Sequence, residues 1–214
     1  MDARQRRTNQ KLSEVILRLS AQRPASEITV SEVTIAAGIN RSTFYQHASS
    51  TTDLLENVLR TELDDIRSRY LGTALSSVDG AALRDIVVAV LDHVSSHAEI
   101  YSRGLGVSSA ASSLHPLLSR HFEESVTDLI AAETVVVPRP SGTSAVNTRF
   151  HNESAARFIA DGTVGAMEVW LRTPEPRSTT DFLRAYRVFM PGWWPIGRDD
   201  DTAPVISVTE PATA

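Results

Sequence analysis

The 214-residue sequence has no cysteine. That excludes disulfides, thiolate metal sites and cysteine nucleophiles, and it suits a cytoplasmic protein. Lysine is almost missing: Lys11 is the only one, a skew expected of a GC-rich genome. No apolar run approaches the roughly 18 residues of a membrane span. The basic N-terminus, with Arg4, Arg6, Arg7 and Lys11, is not followed by an apolar stretch and a cleavage site, so neither a signal peptide nor a membrane partner is expected. Also lacking are a glycine-rich phosphate loop, a G-x-S-x-G elbow, an H-E-x-x-H helix and paired carboxylates on a recognisable scaffold. The expectation is a protein that is not an enzyme and carries no cofactor. What is present is a 42% hydrophobic composition, enough for a packed core.

A net charge of −5 looks unsuited to nucleic acid until it is divided along the chain. Residues 1–50 hold seven basic side chains against four acidic ones, a net of +3, so the remainder carries −8. A basic head on an acidic body is the asymmetry expected if only the head meets phosphate.

Periodicity is helical almost throughout. Leu12, Val15, Ile16 and Leu19 mark a first amphipathic helix, broken at Arg23-Pro24-Ala25-Ser26. Thr29-Val30-Ser31-Glu32 has capping-box form and opens a short helix that stops at Gly38. Asn40 caps the next, about two turns through His47. Ser50-Thr51-Thr52-Asp53 is a second box, opening a long helix, and Gly72 to Gly80 reads as a connection. Further helices are expected around 83–94, 101–107, 114–130, 152–171 and 180–190, with a long loop over 133–147. The prediction is an all-α fold of about nine helices: a three-helix N-terminal domain (1–50), a linking helix (51–71), a helical ligand-binding and dimerisation domain (72–191) and a flexible tail (192–214).

Residues 29–47 have helix-turn-helix spacing. Val30, Val33, Ala37, Ile39 and Phe44 can close a small core with the first helix. Arg41, Ser42, Thr43, Tyr45, Gln46 and His47 are then crowded on a helix too short to serve packing alone. Hydroxyls and a phenol suit phosphate oxygens, and Arg or Gln can pair with base edges.

The ordered run from Thr29 to His47, followed by Asp53-Leu54-Leu55, resembles the DNA-binding domain of TetR-family regulators. Its Ala-Gly-Ile-Asn-Arg-Ser-Thr-Phe-Tyr-Gln-His core carries the likeness, which covers roughly residues 8–57. The resemblance implies a homodimer whose second and third helices read double-stranded DNA, and whose body binds a small molecule. Carried over by position, Arg41, Ser42, Thr43 and Gln46 face the major groove, and Thr29, Tyr45 and His47 hold phosphate. Thr51 stands at the start of the fourth helix, which touches the backbone. Two departures lighten the grip: Ala48 replaces the usual Phe, and Thr51 a frequent Lys. Arg4, Arg6 and Arg7 can compensate as a basic arm. An interaction protein that keeps the fold but has lost DNA binding is the alternative these departures favour.

In the body, Phe158 to Leu171 resembles the family's eighth helix, with a glycine-containing face before Trp170-Leu171. Gly162 and Gly165 each cost about 1 kcal/mol of helix propensity, which makes sense where a neighbouring helix approaches closely. The resemblance implies a four-helix bundle made by the eighth and ninth helices of two subunits, which places Phe158, Gly162, Gly165, Val169, Phe182 and Tyr186 at or near a dimer interface. Two heads would impose a palindromic operator. Val90, Val94, His97, Tyr101, Leu118, Phe122 and Trp170 are expected to line a pocket for a mostly apolar effector. His93 and His97 share a helix face and could grip a metal, but with no cysteine and no carboxylate pattern nearby, no metal site is expected. The resemblance further implies a repressor, released when its effector moves the fourth helix.

Overall fold

Nine α-helices and one 3-10 turn, with no strand, make up the described residues of the computed structural model: 3–76, 80–106, 114–139, 141 and 144–196. The head comprises α1 (Ala3–Ser20), the 3-10 turn (Ala25–Glu27), α2 (Val30–Ala37) and α3 (Arg41–Tyr45). A long α4 (Thr51–Ser76) leads into α5 (Gly80–Ser96), α6 (Ala98–Leu105), α7 (Leu114–Ala131), α8 (Ala145–Leu171) and α9 (Thr179–Phe189).

The head closes on the residues its periodicity singles out. Leu12, Val15 and Ile16 turn inward from α1 and meet Val33, Ala37 and Phe44, all buried. The Thr29 box forms in full: its Oγ1 accepts from the Glu32 amide, and the Glu32 carboxylate accepts from the Thr29 N–H at 2.8 Å. Gly38 then takes φ 64°, the left-handed conformation that lets the chain reverse within one residue. Asn40 Oδ1 accepts from the Thr43 amide and starts α3.

The α4 helix spans about 39 Å at 1.5 Å per residue and belongs to both halves. Leu54, Leu55, Val58 and Leu59 serve the head end, while Leu63 and Ile66 reach the body. Polar contacts tie it down further along. Arg67 pairs with Asp128 and Glu124 of α7, and His121 of α7 lies 3.3 Å from Asp64. A second bridge between the halves runs from α6, where the Arg103 guanidinium donates to the carbonyls of Ser20 (2.8 Å) and Ala21 at the end of α1. Those carbonyls have no partner within their own helix, so the cation completes its C-terminus.

Several boundaries differ from the sequence reading, each for a local reason. The α4 helix runs through Gly72 to Ser76 instead of ending at residue 71. The first helix is already formed at Ala3, so Arg6 and Arg7 stand on a helical turn and not on an extended arm. The α8 helix starts seven residues earlier than Asn152, because Ser144 supplies an N-cap to the Asn147 amide. Within the loop before it, Val135 and Val137 point into the core and Val136 points out. The expected tail cannot begin at 192, since Trp194 and Ile196 are buried; residues 197–214 lie outside the described residues.

By helix propensity Gly104 is a weak point in α6. In the fold it is a point of close approach: a Cβ there would stand 2.6 Å from Leu114 Cγ. Gly104→Ala is expected to cost about 1–3 kcal/mol by overpacking, read as a lower midpoint in urea unfolding at an unchanged slope. A neutral substitution would show that Leu114 has room to step aside.

Candidate nucleic-acid interface and effector cavity

The outer surface of α3 carries Arg41, Ser42, Tyr45 and Gln46, all exposed, with Thr43 and His47 partly covered. Phe44 is the one side chain of this five-residue helix that is buried, so the helix is held by a single anchor. The Tyr45 ring stands edge-on to it, with centroids 5.5 Å apart, and remains 59% exposed. Arg7 and Lys11 of α1, with Asn40, Thr43, Gln46 and His47, face one open cleft of about 890 Å³. Two cations, a histidine and an exposed short helix thus meet in one concavity.

Some of these polar groups are already engaged. Asn40 Oδ1 also accepts from the hydroxyls of Ser42 (2.8 Å) and Thr43 (2.7 Å). Both oxygens keep acceptor capacity, while their protons are directed inward. The Arg41 guanidinium reaches back to Ser31 Oγ on α2. Thr29 Oγ1 is used in the capping box, where the Thr29 amide and the Arg23 side chain hold the Glu32 carboxyl down at about 2.

Thr51 departs furthest from its expected place. It is buried, and its hydroxyl lies 2.8 Å from the Ala25 carbonyl and 3.0 Å from that of Ile28, latching the start of α4 to the 3-10 turn. The capping at this junction comes from its neighbours. Ser50 Oγ accepts from the Asp53 amide, and the Asp53 carboxylate accepts from the Ser49 N–H and hydroxyl. Thr51→Val keeps the shape and leaves two buried carbonyls without this donor. A loss of about 1–3 kcal/mol is expected, measured by thermal melting. No loss would mean that water replaces the hydroxyl.

In the body, Ile66, Val87, Val90, Phe122, Met167 and Tyr186 surround a small cavity of about 70 Å³, with Arg67, His121 and Thr163 as its polar points. Of the seven residues expected there, only Val90 and Phe122 line it. Val94, Tyr101 and Leu118 are fully buried core, Trp170 packs edge-on against Phe182, and His97 turns to Glu62. The helix face was legible, but the depth at which each residue sits depends on the neighbouring helix. Burial pushes the Tyr186 hydroxyl up to about 12, and it pairs with Thr163 Oγ1 at 2.8 Å.

The sequence model described as bacterial regulatory proteins, tetR family, matches residues 13–58, which span the C-terminal part of α1, the helix-turn-helix and the start of α4. Residues 13–58 thus carry the DNA-binding domain of the TetR family. Solved structures share the fold over most of the chain. One is the dihydroxyacetone kinase operon activator DhaS, at 11% identity and TM-score 0.58, covering 85% of this chain and 94% of that one. Another is the fatty acid degradation regulator FadR from Bacillus halodurans, at 13% and 0.60, covering 84% and 96%. A tetR-family transcriptional regulator from Streptomyces coelicolor gives 22% and 0.53, covering 89% and 85%. At such identities the likeness is one of fold. No curated protein matches the chain in sequence.

The chain also leaves an apolar surface on α8 and α9. Phe158 and Val169 are exposed, together with Phe150, Val188 and Phe189, which sequence reasoning missed. Gly162 and Gly165 have open space where a Cβ would stand, so nothing within the subunit requires them. Phe182 and Tyr186 do not join this surface. They stack at 5.6 Å inside their own subunit and are buried there. On α9 the i, i+4 pair turns inward and the side chains that follow it turn out, which helical spacing alone does not distinguish. Also missed were Arg103, whose carbonyl partners lie more than 80 residues away, and Ile35, an exposed apolar side chain on α2.

Proposed function

We propose that this transcriptional regulator binds a palindromic double-stranded operator as a homodimer and is a repressor released by a mostly apolar small molecule. The observation that carries the reading is the α2–α3 unit, whose short second helix has one buried anchor and a polar outer face beside Arg7 and Lys11. Direct readout falls to Arg41, Ser42, Thr43 and Gln46, and phosphate contact to Thr29, Tyr45 and His47. Thr51 is left out, since its side chain faces the 3-10 turn. The head is residues 1–50, α4 links it to the body, and α8–α9 supply the dimer surface through Phe158, Gly162, Gly165 and Val169, now with Val188 and Phe189.

The effector reading is supported by a cavity lined mainly by apolar side chains between α4, α5, α7, α8 and α9. Its size also sets a condition. A drug-sized ligand needs roughly 300 Å³ or more, so binding must spread the helices around it. Spreading them displaces α4, and the head moves with it. The ligand must favour that displaced arrangement, or nothing shifts.

A gel shift at low salt with the DNA flanking the coding region tests the central claim. No shift with any flank would favour the alternative, an interaction protein of the same fold. A reporter fused to the shifted fragment gives the sign, which matters because one structural neighbour is named as an operon activator. Arg7→Ala with Lys11→Ala should flatten the salt dependence, by about 0.9 in the slope of log K against log salt for each phosphate that is no longer neutralised. An unchanged slope would remove these two cations from the interface.

A further inference from the structure

We propose that Glu62, His93 and His97 form a binding site for one divalent transition-metal ion of the zinc class, joining α4 to the α5–α6 corner. Glu62 projects from the middle of α4. His93 stands in the last turn of α5, and His97 follows four residues later, at the residue joining α5 to α6. The helical spacing continues across the junction, because the His97 amide still bonds to the His93 carbonyl at 3.2 Å. The two rings therefore share one face, with centroids 4.9 Å apart.

The donor atoms converge. Glu62 Oε2 lies 3.0 Å from His97 Nε2 and 3.6 Å from His93 Nδ1, and one ligand atom from each residue lies within 4.8 Å of the others. Zinc bonds of about 2.0–2.1 Å in tetrahedral array place neighbouring donors about 3.3 Å apart. Two of the three separations straddle that value, so an ion could settle among them with small side-chain rotations. Two imidazoles and one carboxylate form a donor set that zinc accepts readily, leaving a fourth position for water or a ligand group.

The surroundings fit the same role. His93 Nε2 is 2.9 Å from the Tyr101 hydroxyl. Metal binding requires the tautomer in which Nε2–H donates to the Tyr101 oxygen and the lone pair of His93 rests on Nδ1, the atom facing Glu62. A ligating histidine is commonly oriented in this way, through its other nitrogen. Among the described residues, no arginine or lysine makes an ion pair with Glu62 to compete with the cation. Glu62 is the most exposed of the three and leaves a way in from solvent.

The test uses the full-length chain, stripped with a chelator, and needs no DNA. Zinc is titrated against a chromophoric competitor. One ion per chain is expected, and Glu62→Gln and His97→Gln should each weaken binding by about 100-fold or more, while His151→Gln leaves it unchanged. If either variant fails to fold, the wild type suffices: ring-labelled histidines should show His93 and His97 shifting with one equivalent of zinc and His151 unmoved. Absence of stoichiometric binding, equal affinity in all variants, or shifts confined to other histidines would overturn the site.

Discussion

Placing aspartates at Phe158 and Phe189 together should convert the proposed dimer into monomers and lower operator affinity by roughly 10²–10⁴-fold, the weakening expected when two linked heads no longer bind as one. Both side chains are largely exposed in the subunit, at 66% and 72%, so neither supports its fold. An exposed apolar surface that includes Phe150, Val169 and Val188 is the kind that marks an interaction site. Two carboxylates per subunit in that surface would have to be desolvated on association. Light scattering should give the monomer mass, and circular dichroism should show the helical content retained. A wild type that is itself monomeric, or a variant that still dimerises, would move the interface elsewhere.

The second large effect concerns the head. Phe44→Ala should destabilise it by about 3–5 kcal/mol, the usual cost of deleting a buried aromatic ring. Here the cost has a local meaning. Phe44 is fully buried and is the only side chain of α3 that is. Without it, a five-residue helix has caps at its ends and nothing beneath it, far below the length at which helices persist alone. Amide exchange across residues 40–48 should then approach that of an open chain, with α5, α7 and α8 still protected. Operator binding should fail with the head while the body's thermal transition remains. Protection retained in α3 would show that Asn40 and the turn at Gly38 hold it unaided.

The contrast between these two substitutions follows what the sequence could express. Phe44, Val33 and Leu12 were legible because a short three-helix unit leaves few ways to bury them, and because the Thr29 box, Gly38 and Asn40 fix where each helix starts or stops. Thr51 was not legible: a threonine at a helix start can face solvent or the core, and only the path of the 3-10 turn decides. Trp170, Phe182 and Tyr186 share that difficulty. Their spacing shows a common face, yet which faces meet within one subunit is a property of packing. Glu62 shows the same limit from the other side. His93 and His97 announce themselves at i, i+4, but their carboxylate comes from another helix, 31 positions before His93. Cavity residues were the least legible, since a gap is defined by what neighbouring helices fail to fill.

The grip of Arg103 on the last carbonyls of α1 gives the head a short-radius pivot. About 27 Å of helix extends from that point to the far end of α1. A tilt of only about 5° around it carries the far end roughly 2 Å, and Arg7 and Lys11, roughly 20 and 14 Å along the helix, ride beside the cleft with smaller displacements. A rotation of α1 about this point would therefore displace the cations further than the carbonyls that Arg103 holds.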